Sequence, residues 1–357
     1  SKSAYTLMVR LFAPALAFQM LGSTGLILSM GAHYLMTNML SWCLHFNHAF
    51  SPWLRIRMAF GAMFCGGTTL FLGSFLSNPL LVILAAGIFG VYESLFWTSY
   101  HQVREEEHGS SKQEVARWNT FEKLVASFFL FFAAFWSDFS TPELCMGLGL
   151  IFAMAGVFST QSLAQHRSER PIAETIHSRK PIHLALPLLE GMIAVTWIFY
   201  IRQVSLDGTF SKIPLIGSGV VSLGIIAGTT ALIGATMYYI SSRYKWNISL
   251  QKTLPLQIVV ICGLIFFTQH EYWILTLILI MSLLRSMMMG QTVNDFRKLL
   301  ARSGSAHDTR ERMKFTGRVT GLLLIVPYFT SIESVLMIHL ASITILLLML
   351  HHCSRGH

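Results

Sequence analysis

The chain has 357 residues, of which 53% are hydrophobic and only 12% are charged, and its mean hydropathy is +0.56. A soluble domain carries roughly a quarter charged residues. The composition therefore argues against a soluble protein and favours a membrane protein, because a charge that faces lipid is costly. The net charge of +9 does not favour nucleic-acid binding, because the basic residues lie in short segments between apolar runs.

Apolar runs follow one another along the whole chain, and most have about the 20 residues that an α-helix needs to cross a bilayer. Hydropathy places twelve of them at 6–30, 33–50, 55–77, 80–101, 118–137, 143–163, 183–205, 213–240, 254–268, 272–291, 315–331 and 333–352. The predicted fold class is thus an all-α membrane protein with twelve transmembrane helices.

The basic residues give these spans an orientation. With the N-terminus inside, 21 of the 26 Lys and Arg residues fall on the inside, one (Lys212) falls outside, and four lie within spans. Cytoplasmic loops of membrane proteins carry such an excess of Lys and Arg. The distribution predicts cytoplasmic termini and supports the span count, because one missed helix would invert every later loop.

The charged segment 164–182 follows six spans and precedes six more. We interpret it as a cytoplasmic linker between an N-terminal half, residues 1–163, and a C-terminal half, residues 183–357. In each half the connection after the fourth span is long and charged, with HQVREEEHGSSKQEVAR in the first and VNDFRKLLARSGSAHDTRERMK in the second. Matching halves of this kind are typical of duplicated transporters.

In this architecture the chain resembles the major facilitator superfamily, and its segment GVYESLFWTSYH is similar to a stretch in some prokaryotic members. The resemblance implies two pseudo-symmetric six-helix halves that rock around a central site. The usual basic signature between the second and third spans is reduced here to FSPWLRIRM, and its second copy to SSRYKW. The resulting hypothesis is a secondary active transporter of a small solute that works by alternating access and is possibly proton-coupled. The alternative is a transport-inactive relative that serves as a membrane scaffold or assembly factor with a protein partner.

Charges inside the spans are the candidates for substrate or coupling residues, because their burial in lipid is costly unless function retains them. Glu93 in the fourth span and Arg285 in the tenth occupy corresponding positions, 192 residues apart. We predict an ion pair between them that links the halves in one state. Arg10 and Glu190 are 180 residues apart and form a second predicted pair near the cytoplasmic end.

Two further candidates are Glu122 in the fifth span, which is also suited to pairing with a basic loop residue, and Arg202 near the outer end of the seventh, which is also suited to anchoring at the interface. Together with Arg10 and Arg285, Arg202 favours an anionic or zwitterionic solute. No catalytic, nucleotide-binding or metal-ligand motif is found, so neither an enzyme nor a cofactor is predicted. We expect the chain in a bilayer, as an integral protein of a prokaryotic cytoplasmic membrane.

Overall fold

The structure is a computed structural model that describes residues 8–46, 51–108, 112–139, 182–214, 219–244, 250–303 and 307–355, with the single positions 147, 154, 216 and 217. The described part is helical. Its α-helices are α1 (Ala13–Phe46), α2 (Pro52–Phe75), α3 (Pro79–His108), α4 (Lys112–Phe139), α5 (Ile182–Leu206), α6 (Gly219–Tyr244), α7 (Leu250–Phe266), α8 (Glu271–Ser303), α9 (His307–Ile325) and α10 (Ile332–Arg355). A π-helical segment, Met8–Phe12, precedes α1, and a 3-10 turn, Val326–Tyr328, follows α9.

Six of these helices are long and apolar enough to cross a membrane, and they overlap spans predicted from the sequence. Although α4 is not one of these six, it also has an apolar outer surface of the kind that lipid requires: large side chains are exposed at Phe121, Leu124, Phe128, Phe132 and Phe135. This spacing of three and four residues marks one face of a helix. The prediction of an all-α membrane protein is thus confirmed, apart from the number of its spans.

The first two predicted spans differ from the structure. The sequence predicts a break at residues 31–32, but α1 runs through these residues and breaks instead at Gly22, where φ is +60° and ψ is −148°. A positive φ of this kind is strained for residues that have a Cβ atom. The parts on either side fold against each other, since a Cβ on Gly25 would lie 1.9 Å from the Ala17 carbonyl oxygen. The predicted connection at 31–32 is therefore wrong.

The eighth predicted span also begins later than expected. Turns occupy the stretch after α5, which includes Pro214, and α6 begins only at Gly219. The sixth span, 143–163, and the linker, 164–182, lie almost entirely outside the described residues. The count of twelve spans, the half boundaries and the location of the termini thus remain predictions.

Two buried apolar clusters lie on either side of this gap. One consists mostly of residues from α1 to α4, and the other mostly of residues from α5 to α10. Two pairs of helices join them: α1 packs against α9, and α4 packs against α6. The contacts that follow show that α1 and α9 are antiparallel, because Trp42 meets Thr316 and Gly31 meets Leu322.

The two ends of the bundle differ in charge. The end at which α1 finishes and α9 begins carries the basic connections predicted to be cytoplasmic, and we call it the basic end. The opposite end, with the turns at 76–78, 207–217 and 267–270, is called the acidic end. There, Lys212 Nζ lies 3.3 Å from Glu271 Oε1, which joins two connections that the sequence places on the same side.

Candidate functional site: a buried ion-pair cluster between the halves

Glu93 lies on α3, about 21 Å from the start of that helix at ~1.5 Å per residue. Its side chain is 9% exposed, and it has two ion-pair partners. Glu93 Oε2 lies 2.6 Å from His33 Nε2 on α1, and Glu93 Oε1 accepts a hydrogen bond from Arg318 Nη1 on α9 at 2.8 Å. One buried carboxylate thus connects three helices, and Arg318 belongs to the chain segment beyond the predicted linker.

A glycine allows α1 and α3 to approach closely enough for this contact. A Cβ on Gly90 would lie 2.2 Å from the His33 carbonyl oxygen, so no larger residue fits without a shift of the helices. Gly90 is three residues before Glu93, on the same face of α3. Thr37 Oγ1 also spans this gap, since it lies within hydrogen-bond distance of the carbonyl oxygens of His33, at 2.8 Å, and Gly90, at 3.2 Å.

The Arg318 guanidinium is held by aromatic rings as well as by Glu93. Its Cζ lies 5.5 Å from the ring centre of Tyr34 and 5.4 Å from that of Phe315. A cation over an aromatic face gains electrostatic attraction, especially where water is excluded. Tyr34 also meets His33 edge-on, with ring centres 5.0 Å apart. The charged cluster of His33, Glu93 and Arg318 is thus packed on its α1 side by an aromatic ring.

Polar contacts continue from this cluster towards the basic end. Trp42 Nε1 donates to Thr316 Oγ1 at 3.2 Å, Thr316 Oγ1 lies 3.0 Å from Asn38 Oδ1, and Arg312 lies over the Trp42 ring. These residues fill the α1–α9 contact between Glu93 and the basic end. In this conformation the two halves are therefore in contact on the basic side of Glu93.

The predicted partner of Glu93 lies elsewhere. Arg285 on α8 lies over the Trp197 ring, 5.9 Å from its centre, and its Nη1 is buried without a hydrogen-bond partner among the described residues. Glu93 is paired with His33 and Arg318 instead of Arg285. The prediction chose Arg285 as the partner because pseudo-symmetry relates its helix to that of Glu93. In the structure α9 packs against α1, and this contact brings Arg318 next to the Glu93 carboxylate.

The other predicted residues have separate environments. Glu190 Oε1 pairs with Lys314 Nζ at 2.9 Å, and the side chain of its predicted partner Arg10 lies outside the described residues. Arg202 is 9% exposed and donates to the Val9 carbonyl oxygen at 3.0 Å, so it anchors the π-helical segment. Glu122 is half-buried on α4, beside Lys123, whose Nζ lies 5.4 Å from the Tyr238 ring centre.

Sequence reasoning missed His33 and Arg318. The charge pattern counts Arg318 among the basic residues on the inside, and it gives no role to His33. One signal was available: Arg318 is flanked on α9 by Gly317 and Gly321, which indicate a closely packed and hence buried position. Among the described residues, no group of three or more His, Cys, Asp or Glu side chains is arranged to hold a metal ion.

Comparison with known structures gives this helical arrangement a name. A bacterial homologue of the iron transporter ferroportin, solved in an outward-facing state, matches with a TM-score of 0.62 at 15% identity, over 99% of this chain and 96% of that one. The same homologue with soaked iron matches equally well, at 14% identity. The fucose:proton symporter of E. coli matches with a TM-score of 0.58 at 12% identity, over 98% and 97%.

The chain has the major facilitator fold. The resemblance seen in the sequence is thus confirmed at the level of the fold, and the solved neighbours are transporters. A search by sequence matches no family model and no curated protein. The cluster of His33, Glu93 and Arg318 joins α1 and α3 to α9, which follows the predicted linker in the chain.

Proposed function

We propose that this chain is a secondary active transporter that moves a small solute across a prokaryotic cytoplasmic membrane by alternating access. Its helices form two halves, one before and one after the segment 164–182, and the basic end faces the cytoplasm. The cluster of His33, Glu93 and Arg318 acts as a proton-dependent latch that holds the basic, cytoplasmic end shut. The fold of the neighbouring transporters supports transport in general, and the latch rests on this chain's own residues.

The observation that carries the proposal is the buried Glu93 carboxylate, which pairs across the two halves. Buried charges are costly to remove from water, and pairing compensates this cost only with good geometry and further hydrogen bonds. The same charges regain water when the halves separate, so the contact is not strongly biased towards one state. A paired charge between two bodies is thus suited to an equilibrium that has to reverse.

The hydrogen bonds of His33 indicate how many protons the latch holds. His33 Nδ1 lies 3.2 Å from the Ala86 carbonyl oxygen, which only accepts, so Nδ1 carries a proton. The 2.6 Å contact between His33 Nε2 and Glu93 Oε2 then needs a second proton between these two atoms. That proton belongs either to an imidazolium or to a carboxylic acid, and in both cases the cluster with Arg318 has a net charge of +1.

Loss of this shared proton breaks the latch. The Nε2 lone pair would then face the Glu93 carboxylate at 2.6 Å, and two acceptors at that distance repel each other. The other titratable groups that interact with the cluster are Tyr92, beside Glu93, and Tyr34 and Glu311, beside Arg318. Closure of the basic end therefore requires the proton, and opening towards the cytoplasm releases it. In this scheme the proton is taken up as the basic end closes and released as it opens, so the pH sets the balance between the two states.

Distance measurements between spin labels test the latch without knowledge of the solute. Labels at Met39→Cys on α1 and Leu348→Cys on α10 are both well exposed, at 55% and 62%, and lie in different halves towards the basic end. The background replaces the five native cysteines, which are Cys43, Cys65, Cys145, Cys262 and Cys353. We expect the label distance in lipid nanodiscs to lengthen as the pH rises, and to be long at all pH values in Glu93→Gln.

The variant His33→Gln tests whether the closed end needs the shared proton or only a hydrogen bond to Glu93. A glutamine amide still donates to Glu93 but does not titrate, so its label distance should remain short and independent of pH. Glu271→Gln is the matched control, because it removes a carboxylate at the acidic end and should leave the pH response unchanged. The proposal is wrong if the native distance does not respond to pH, or if Glu93→Gln behaves like Glu271→Gln.

A further inference from the structure

A second buried polar cluster lies within the C-terminal helices and takes no part in the latch. It consists of Thr196 and Trp197 on α5, Arg285 on α8 and His339 on α10. Trp197 is 4% exposed and His339 1%. His339 lies about 10 Å from the start of α10 at the acidic end, and Thr196 about 15 Å from the end of α5, at ~1.5 Å per residue. Thr196 and His339 thus lie nearer the acidic end, while Arg285 lies deeper, about 21 Å from the start of α8 at ~1.5 Å per residue.

The Trp197 indole links the two basic side chains of this cluster. Its ring centre lies 5.9 Å from Arg285 Cζ and 5.7 Å from the centre of the His339 ring, which stacks on it with an interplanar angle of 28°. Tyr200 stacks on the same indole, at 5.5 Å. The Trp197 ring gives Arg285 a cation–π contact through its face. This contact leaves the N–H groups in the plane of the guanidinium to other acceptors.

Each basic side chain leaves one buried nitrogen unused. Arg285 Nη1 and His339 Nε2 are both buried without a hydrogen-bond partner among the described residues. The nearest carboxylate that attracts Arg285 is Glu190, and this carboxylate already pairs with Lys314. A buried polar atom without a hydrogen-bond partner costs free energy in the folded protein. Two such atoms beside one aromatic ring indicate a site whose partner arrives from outside the chain.

Arg285 Nη1 and His339 Nε2 differ in their hydrogen-bonding roles. Arg285 is a permanent donor with a planar fork that suits a carboxylate. Thr196 Oγ1 lies 3.0 Å from the Met192 carbonyl oxygen and also meets His339 Nδ1; when its hydroxyl donates to Met192, His339 Nδ1 carries the proton of the contact between the two side chains. With Nδ1 protonated beside the Arg285 charge, His339 is neutral and its Nε2 is an acceptor.

We infer that Arg285, Trp197 and His339 form the subsite for a small carboxylate solute that carries a hydroxyl or amino group beside the carboxylate. The carboxylate binds Arg285 Nη1, the neighbouring hydroxyl or amino group donates to His339 Nε2, and the carbon skeleton packs on the Trp197 ring. This inference rests on the proposed transport function and names the solute class for it.

Thermal unfolding of the full chain in nanodiscs tests the solute class. The probes are pairs of acids that differ by one group: lactate with propanoate, malate with succinate, alanine with propanoate and glutamate with glutarate. Glucose and glycerol serve as neutral probes. We expect at least one hydroxy or amino acid to raise Tm by about 2 °C or more at saturation. Its partner without the donor group should give a smaller shift, and the neutral probes none.

The variant Arg285→Met tests whether Arg285 binds the solute or stabilises the fold. The described contacts of the buried Arg285 charge are the Trp197 ring and the attraction of Glu190, which already pairs with Lys314, so its removal should leave Tm without solute nearly unchanged and should abolish the shift given by the solute. His339→Phe keeps the stacked ring and should weaken hydroxy or amino acids towards the affinity of their partners. Arg243→Gln is the control, because Arg243 is exposed and bonds only Tyr239 among the contacts described.

The inference is overturned if no acid shifts Tm, if only neutral probes do, or if the shift survives in Arg285→Met. It is also overturned if Arg285→Met lowers the Tm of the protein without solute, since Arg285 would then be a structural residue. The label distances between Met39→Cys and Leu348→Cys, measured in the same preparations without solute, report on the latch alone. If no acid shifts Tm but the label distance still responds to pH, the subsite is wrong and the proposed transporter is not affected. If the label distance does not respond to pH, the proposed function itself is wrong.

Discussion

The two helix pairs that join the halves differ in chemistry. The α1–α9 contact contains the His33, Glu93 and Arg318 cluster and the hydrogen bonds of Trp42 and Thr316. The α4–α6 contact is formed mostly by small and apolar groups. A Cβ on Gly224 would lie 2.5 Å from Ala134 Cβ, and the described hydrogen bond across it joins Ser127 Oγ to the Gly228 carbonyl oxygen at 2.8 Å.

This difference suggests separate tasks. Close packing of small residues gives dispersion contacts that change little when two helices slide or pivot by a small angle. A buried ion pair is directional, and it is either formed or broken. We therefore interpret α4–α6 as the pivot between the halves and α1–α9 as the latch. Substitutions in the two contacts should have different consequences for stability and for the equilibrium between states.

The largest expected effect is the loss of one member of the latch. Arg318→Gln leaves the Glu93 charge buried beside His33 alone, and the removal of one partner of a buried pair costs about 3–5 kcal/mol. The closed state should lose this stabilisation. We expect a lower Tm and a long distance between labels at Met39→Cys and Leu348→Cys.

The double variant Glu93→Gln with Arg318→Gln supplies the control. It removes both charges, so it should recover part of the stability that either single variant loses. If the losses of the two single variants simply add, Glu93 and Arg318 do not act as a pair and the latch is refuted.

The next effect concerns the pivot. Gly224→Ala places a methyl group against Ala134, and overpacking of this kind costs about 1–3 kcal/mol. Because the strain falls on both states alike, Tm should fall while the pH response of the label distance stays in place. Gly61→Ala on α2 is the matched control, since a Cβ there meets nothing within 4 Å. An altered pH response in Gly224→Ala alone would show that α4–α6 belongs to the switch.

A smaller effect is expected at the polar part of the latch. Trp42→Phe keeps the ring under Arg312 but removes the hydrogen bond to Thr316, which is worth about 1 kcal/mol. The midpoint of the pH response should shift modestly towards the open state. Trp273→Phe, at an exposed position on α8, should not change it. Equal responses in the two variants would mean that the Trp42 hydrogen bond does not hold the closed end.

The smallest effect belongs to the ion pair at the acidic end. The Lys212 side chain is 83% exposed, and an exposed pair contributes between nothing and about 1 kcal/mol. Lys212→Gln should therefore change neither Tm nor the label distance measurably. A clear loss of stability would indicate that the 207–217 and 267–270 turns form a closed structure at this end.

Much of the fold could be predicted from the sequence, because lipid imposes long apolar helices and a basic cytoplasmic side. Hydropathy located α2, α3, α5 and α10 to within a few residues at most of their ends. It failed at α1, where a backbone break depends on the φ angle of Gly22 and not on polarity. The stretch 31–32 looked like a turn only because the apolar run was too long for one span.

The site was less predictable. Burial cost identified Glu93 and Arg285 as residues that need partners, and both are central to the proposals. The partners themselves depend on which helices touch, and hydropathy does not contain this information. Arg318 reaches Glu93 because α9 lies against α1, while Arg285 faces Trp197 and His339 within its own half. Pseudo-symmetry gave the correct depth of the charges and the wrong pairing.

The central claim is that one end of the molecule closes while the other opens, and two label pairs measured on the same protein test it directly. The pair at Met39→Cys and Leu348→Cys reports the basic end. A second pair at Phe75→Cys and Tyr328→Cys, which are 70% and 53% exposed, reports the acidic end. As the pH rises, alternating access predicts that the first distance lengthens while the second shortens. Distances that stay fixed at both ends, or that change in the same direction, would contradict a transporter and favour a membrane scaffold.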